Sequence, residues 1–155
     1  MPGRTPRFTP LMAGLVEEDR DGVVELNRAF YRAFVRRDAA VMEGLWAKAA
    51  PVACLHPGHP PLFDRAAIME SWRAIMRNPQ APTEIRIVED RVLVRGRMGM
   101  VICREILGNS HLMATNVFVR EGEAWKIAHH HAAAAPPPKD RPATPAAKRE
   151  RRSLH

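Results

Sequence analysis

Apolar residues fall at helical spacing in the first half of this chain and alternate with polar ones in the second half. Val23, Leu26, Phe30, Ala33 and Phe34 share one face at a 3.6-residue period, with Tyr31 at its margin. That pattern predicts a helix over roughly 23–37, with Asp21 as its N-cap. Asp38 is placed to cap a short second helix whose inward residues are Met42, Leu45, Trp46 and Ala49, and Pro51 ends it. PVACLHP then reads as a short extended segment, and the Pro-Gly and Pro-Pro steps of 56-HPGHPP-61 enforce a turn. Asp64 caps a third helix over 65–77, with Ile68, Trp72, Ile75 and Met76 on one face, and Asn78-Pro79 stops it.

Beyond that point the period changes to two. Four strands are predicted, at 84–95, 98–107, 111–120 and 124–132. Their connections carry Gly96-Arg97, Gly108-Asn109 and Glu121-Gly122, which suit tight hairpins. Three helices followed by an antiparallel meander predict an α+β fold, with the helices on one face of a curved, mainly antiparallel sheet. There is no βαβ alternation and no internal repeat. The organisation expected is a flexible leader at 1–21, a folded domain at 22–132 and a disordered Ala/Pro-rich basic tail at 133–155.

Composition changes this picture in two places. The formal net charge is +7 over 155 residues. Residues 136–155 hold six Lys/Arg against two acids, and residues 1–21 hold three Arg against four acids, leaving +4 for the core. Over half of the excess charge therefore sits in the tail, and the basic balance is poor evidence that the domain itself binds nucleic acid. KRERRSLH lacks aromatics and implies only weak, salt-sensitive contacts at most. No run of eighteen apolar residues exists, so no membrane span is expected. Cys54 and Cys103 lie in apolar strand-like runs and make no disulfide framework, so a reduced, cytoplasmic protein is the expectation.

The candidate chemistry is histidine-rich. His56 precedes the Pro-Gly turn; an imidazole there is either a turn residue bonded to local backbone or a pocket-facing base. His59, in the turn itself, is expected to face solvent. In 129-HHH-131, alternation puts His129 and His131 on one face of the last strand and His130 on the other, and one or both of His129 and His131 are expected to line the pocket mouth. No Cys or Asp pair at metal spacing accompanies them, and no metal is expected. Cys103 and Glu105 share a strand face. If that face is concave, Glu105 is a buried acid of raised pKa; if convex, it pairs with Arg104 or Arg97. Asn116, within the apolar run MATNVFV, is a pocket donor or a solvent-facing residue at a bulge. Tyr31, Phe34, Trp46 and Trp72 are core by default, and they line a pocket wherever the core wall borders one.

Three segments carry a family resemblance. NRAFYRAFVRRDAAVMEGLWA is similar to the first two helices of the nuclear transport factor 2-like superfamily in its SnoaL-like branch. PVACLHPGHPPLFDRAAIMESW resembles that family's strand, turn and third helix, and ATNVFVREGEAWKIAHHHA resembles its last hairpin. The strands at 84–107 fit by pattern alone. The likeness covers roughly residues 22–132.

It implies a cone-shaped, cystatin-like fold in which a curved sheet wraps a long helix and leaves a deep apolar pocket. It also implies a homodimer through the sheet. The family includes ketosteroid isomerases, polyketide cyclases, dehydratases and epoxide hydrolases, together with protein-binding and structural members, so the fold does not give the activity. By the resemblance, the isomerases' proton-shuttling Asp corresponds to His56. Their helix-one Tyr corresponds to Phe30, with Tyr31 about 100° further round the helix. Asp64 stands where a small residue usually precedes the helix-three Arg, here Arg65.

The expectation drawn from all of this is a SnoaL-like domain that holds a small apolar organic molecule and needs no cofactor. Its chemistry would be isomerase-, cyclase- or dehydratase-type proton transfer, with His56 as base and Glu105, His129 or Tyr31 polarising the substrate. The alternative is a non-catalytic ligand-binding, dimerisation or protein-interaction module.

Overall fold

The computed structural model describes residues 10–139, with side chains from 17 onward. The elements run α1 (Pro10–Val35), α2 (Ala39–Leu45), β1 (Ala53–Leu55), α3 (Arg65–Arg77), β2 (Arg86–Arg95), β3 (Met98–Leu107), β4 (Ser110–Glu121) and β5 (Ala124–Ala134). The sheet order is β1-β5-β4-β3-β2. β1 pairs with β5 in parallel, and every other pair is antiparallel. The helices pack on one face of this mixed sheet, as the α+β expectation has it.

α1 starts well before the expected boundary. Residues 10–21, expected to be flexible leader, are its first turns, and Asp21 lies inside the helix rather than capping it. Pro10 is tolerated at the first helical position, where its missing N–H has no intrahelical acceptor to lose. Tertiary partners meet α1 around the expected boundary. Asp19 pairs with Arg120 on β4 at 3.1 Å, and Gly22 packs on the Trp125 indole. The expectations for 1–9 and for the basic tail from 140 onward lie outside the described residues.

Two short-range signals act as read. Asp38 Oδ1 accepts from Val41 N at 3.0 Å, and Asp64 Oδ2 accepts from Ala67 N at 2.9 Å, each satisfying an N-terminal helix donor. α1 ends in a Schellman pair, Asp38 N to Ala33 O and Arg37 N to Phe34 O, which requires a left-handed residue at Arg37 (φ 57°). A glycine would adopt this without strain. Arg37 uses its side chain instead, donating to the carbonyls of Met76, Asn78 and Ala81 and so tying the end of α1 to the end of α3.

α1 lies close against the sheet because Gly99 has no side chain. A Cβ there would meet Val23 Cγ2 at 2.6 Å. The closed core, around Trp46, Phe30, Met42, Ile68, Phe118 and Ile127, is almost wholly buried.

Candidate functional site

A cavity of about 200 Å³ opens between α1, the β1–α3 turn, α3 and the concave face of β3, β4 and β5. Its apolar wall includes Phe30, Phe34, Trp72, Ile75 and Leu112. The titratable residues lining it are Tyr31, Glu105, His130, His56 and, at the exposed rim, His59. Among the described residues, no Lys or Arg lines it.

Tyr31 sits at the centre of a buried polar chain. Its hydroxyl donates to Glu105 Oε1 at 2.7 Å and accepts from Asn116 Nδ2 at 3.1 Å. Asn116 Nδ2 also donates to Asn27 Oδ1 at 2.8 Å, and Asn116 Oδ1 lies 2.7 Å from His130 Nδ1. Cys103 Sγ is 3.4 Å from the Tyr31 hydroxyl. Asn27 Nδ2 has no nitrogen or oxygen partner among the described residues. The residues come from one helix and three neighbouring strands: Asn27 and Tyr31 one turn apart on α1, Cys103 and Glu105 on β3, Asn116 on β4 and His130 on β5.

Burial sets the charges here. It raises Glu105 above the ordinary carboxylate range, with the Tyr31 hydrogen bond pulling the other way. It raises Tyr31 well above its usual value, helped by Glu105. The Cys103 thiol is pushed up to about 11, chiefly by burial, and Cys54 to about 12, so both stay protonated and unreactive. His130 is lowered to about 3, by burial first and then by the neighbouring histidines, so it is neutral in ordinary buffers.

Across the cavity, the ring of His56 packs edge-on to Trp72 with centroids 4.7 Å apart. Its Nε2 lies 2.9 Å from Ser71 Oγ and 3.5 Å from Cys54 Sγ. Burial, then the nearby His59, lowers it to about 4. The Pro57-Gly58 turn, with Gly58 at φ 74°, directs the chain so that His56 faces in while His59 remains exposed at the rim.

The structure thus brings Tyr31, Phe34, His56, Trp72 and Glu105 around one cavity. Cys103 and Asn116 are fully buried on the same concave face but lie behind the lining, touching Tyr31 rather than open space. Trp46 is displaced from the pocket expected for it. The chain leaves α2 in extended conformation, bridges Trp46 to Ile127, and sends the indole into the closed core.

The histidine triplet is inverted relative to simple alternation. Val117 pairs with His129 but Phe118 pairs with Ile127, so Ala128 is an extra residue, a β-bulge. Trp125 and Ile127 face in before it, and His130 and Ala132 face in after it. His129 and His131 lie on the opposite, convex face, away from the cavity, and His130 is the pocket residue. Asn27, Ser71 and His130 are the site residues that sequence reasoning missed. A polar Asn one turn before Tyr31 on an otherwise apolar helix face was the available signal for Asn27.

Among the described residues, no cluster of three or more His, Cys, Asp or Glu is arranged to hold a metal. No described helix is long and apolar enough to cross a membrane.

The chain matches the SnoaL-like domain family over residues 23–137. It is similar to the crystal structure of a proposed dehydratase of the nuclear transport factor 2-like family from Streptomyces avermitilis, with 30% identity and a TM-score of 0.69. That likeness covers 77% of this chain and 97% of the other. It is also similar to a proposed calcium/calmodulin-dependent protein kinase type II association domain from Thiobacillus denitrificans, with 29% identity over 72% of this chain and 93% of that one (TM-score 0.65). A cystatin-like fold protein from Burkholderia xenovorans, 18% identical, covering 76% of this chain and 92% of that one (TM-score 0.62), shares the fold. No curated protein matches the chain significantly. With the family matched over most of its length and the helices seated on a curved mixed sheet, this chain belongs to the SnoaL-like domains of the nuclear transport factor 2-like superfamily.

Proposed function

We propose that the cavity binds a small, uncharged, mainly apolar organic molecule and moves a proton on it without a cofactor. His56 is the base, and the Tyr31–Glu105 pair stabilises charge that develops on the substrate oxygen. The observation that carries this is the opposition of two kinds of proton-handling group across one apolar cavity: a neutral imidazole on one wall and a hydroxyl–carboxyl pair 2.7 Å apart on the other. Among the described residues no Lys or Arg lines the cavity, so none of them offers an anionic substrate a counter-charge. A small cyclic ketone fits these conditions: the base takes a proton from the carbon beside the carbonyl, and a donor network steadies the enolate. The similarity to a proposed dehydratase supports this class of chemistry.

The test is solvent-deuterium uptake, followed by NMR, into a panel of cyclic ketones and cyclohexenones. The protein is expected to accelerate exchange at the carbon next to the carbonyl. His56→Ala should lower that rate by about 10²-fold or more, the usual worth of a positioned base. A His56→Ala protein that exchanges every accepted ketone at the wild-type rate sinks the assignment.

A second reading, assembly through the sheet, rests on a separate observation. The convex face exposes Leu93 and Met98, at 49% and 57% of their full surface, around a shallow groove that Met100 and Val117 also line. The similarity to an association domain supports a homodimer here. Native mass spectrometry of the wild-type chain and of Met98→Lys reads it directly. A dimer lost in the variant supports sheet pairing, and a wild-type monomer at micromolar concentration removes it.

A further inference from the structure

The hydrogen-bond chains around the cavity determine where each histidine carries its proton. Ser71 Oγ lies 2.8 Å from Ile68 O, and two oxygens that close need a hydrogen between them. The serine has one proton and gives it to that carbonyl, so Oγ can only accept from His56. His56 is therefore protonated on Nε2, and its Nδ1 is a bare lone pair with no partner among the described residues.

His130 is the reverse case. The Tyr31 proton goes to Glu105, which turns the phenolic oxygen into an acceptor for Asn116 Nδ2. Asn116 Nδ2 is also directed at Asn27 Oδ1, so Asn116 must present its oxygen to His130. His130 donates from Nδ1, and its Nε2 is the bare nitrogen. The Tyr31 hydroxyl is committed to Glu105 and the Trp72 indole nitrogen is buried, so neither group donates to the bare imidazole nitrogens.

We infer that the cavity selects a neutral, flat molecule carrying two hydroxyl groups on one ring, a dihydroxyarene, whose two O–H donors meet His56 Nδ1 and His130 Nε2. This rests on the ligand-binding part of the reading above and not on its ketone chemistry. Two acceptors require two donors, and a single hydroxyl has one proton to give. The two imidazole centroids stand 6.3 Å apart, close enough for substituents of one small ring to reach both. Phe30, Phe34 and Trp72 supply aromatic walls for that ring. Asn116 and Ser71 act as positioning residues: each sets a tautomer without lining the open space as its imidazole does.

The experiment is a titration of the full chain, labelled with 15N, by resorcinol and by 3-methylphenol, which replaces one hydroxyl with a methyl on the same ring. Long-range 15N–1H spectra report both histidine tautomers in the same samples. The expected result is His56 protonated on Nε2 and His130 on Nδ1, with resorcinol bound about tenfold more tightly, since the lost donor leaves one buried acceptor unpaired. On resorcinol binding, His56 Nδ1 and His130 Nε2 should both shift, and Ser71→Ala should mix the His56 tautomers and reduce the preference. Asn116→Asp, which keeps an acceptor for His130 Nδ1, should leave the His130 tautomer in place. A His130 protonated on Nε2, or equal affinity for the two phenols, overturns the two-donor assignment while leaving a general apolar pocket intact. Failure of both phenols to bind overturns the two-donor assignment as well, while the ketone-exchange assay decides the proposed function separately.

Discussion

Replacing Gly99 by alanine places a methyl group where Val23 already stands. The new Cβ would lie 2.6 Å from Val23 Cγ2 and 3.1 Å from Cγ1, when ordinary contact begins near 3.4 Å, so the two must part by roughly 0.8 Å. Val23 cannot swing aside, because a β-branched residue in a helix has one strongly favoured rotamer and this one is fully buried. The strain must be relieved by moving α1 away from β3. Overpacking of this kind costs about 1–3 kcal/mol, which in a domain of this size lowers Tm by roughly 3–10 °C. Tyr31 lies on the same helix eight residues on, so the displacement also lengthens its 2.7 Å bond to Glu105. Val23→Ala alone leaves a cavity and costs about 1–2 kcal/mol. In the double variant the two changes compensate. Urea denaturation of the four proteins forms a cycle, and the coupling is expected to be at least about 1 kcal/mol in the compensating direction. Simple additivity would refute the proposed contact, and unchanged stability of Gly99→Ala would refute the close approach of α1 to the sheet.

Arg37 separates backbone strain from side-chain tethering. Arg37→Gly relieves the left-handed conformation but loses the three carbonyl contacts, whereas Arg37→Ala loses the contacts and keeps the strain. The alanine variant is therefore expected to be less stable than the glycine variant by about 1 kcal/mol in chemical denaturation, and the opposite order would show that φ at this position is not strained. His130 predicts an acid-side loss of stability. Its folded pKa, about 3, lies below the ordinary 6.5, so the unfolded chain binds the proton first as pH falls, and stability declines from near pH 6.5 down to the folded value. Between pH 8 and pH 5 this amounts to about 2 kcal/mol, a figure that requires only that the folded pKa lie below 5. The raised Glu105 works in the opposite sense, since its stabilisation by protonation grows as pH falls. His130→Gln should reduce the acid-side slope measured by urea unfolding at the two pH values, and an unchanged slope would show that His130 is not buried in its neutral form. Glu121, which accepts from the N–H groups of Lys48, Ala49 and Ala50, has its carboxyl lowered chiefly by the Ala50 bond. Its contribution is present above the ordinary carboxylate pKa and lost as pH falls through the folded value, so Glu121→Gln should be less stable than wild type at pH 7 and converge with it near pH 3.

Local signals in the chain were sufficient for the elements and their order. The Asp38 and Asp64 caps, the helix stop at Asn78-Pro79 and the glycine-bearing hairpin turns act over a few residues, where backbone sterics and hydrogen bonding are decided by neighbours in sequence. The change of apolar period from 3.6 to 2 carried the α+β class for the same reason, and alternation alone placed Cys103 and Glu105 on a shared face. Which residues meet at the site was a different matter. The bulge at Ala128 inserts one residue and reverses every side chain beyond it, turning His130 inward and His129 and His131 outward, and nothing in AWKIAHHHA marks where the extra residue sits. Tyr31 was legible only as the margin of an apolar stripe; its role is set by Glu105 and Asn116, more than seventy residues away in sequence and adjacent only once β3 and β4 are laid across α1. The tertiary contacts of α1 at Asp19 and Gly22, around the expected boundary, likewise come from Arg120 and Trp125, about a hundred residues further along the chain. Secondary structure was thus written in local chemistry, while strand register and long-range polar contacts, which choose the groups facing the cavity, were determined by tertiary packing.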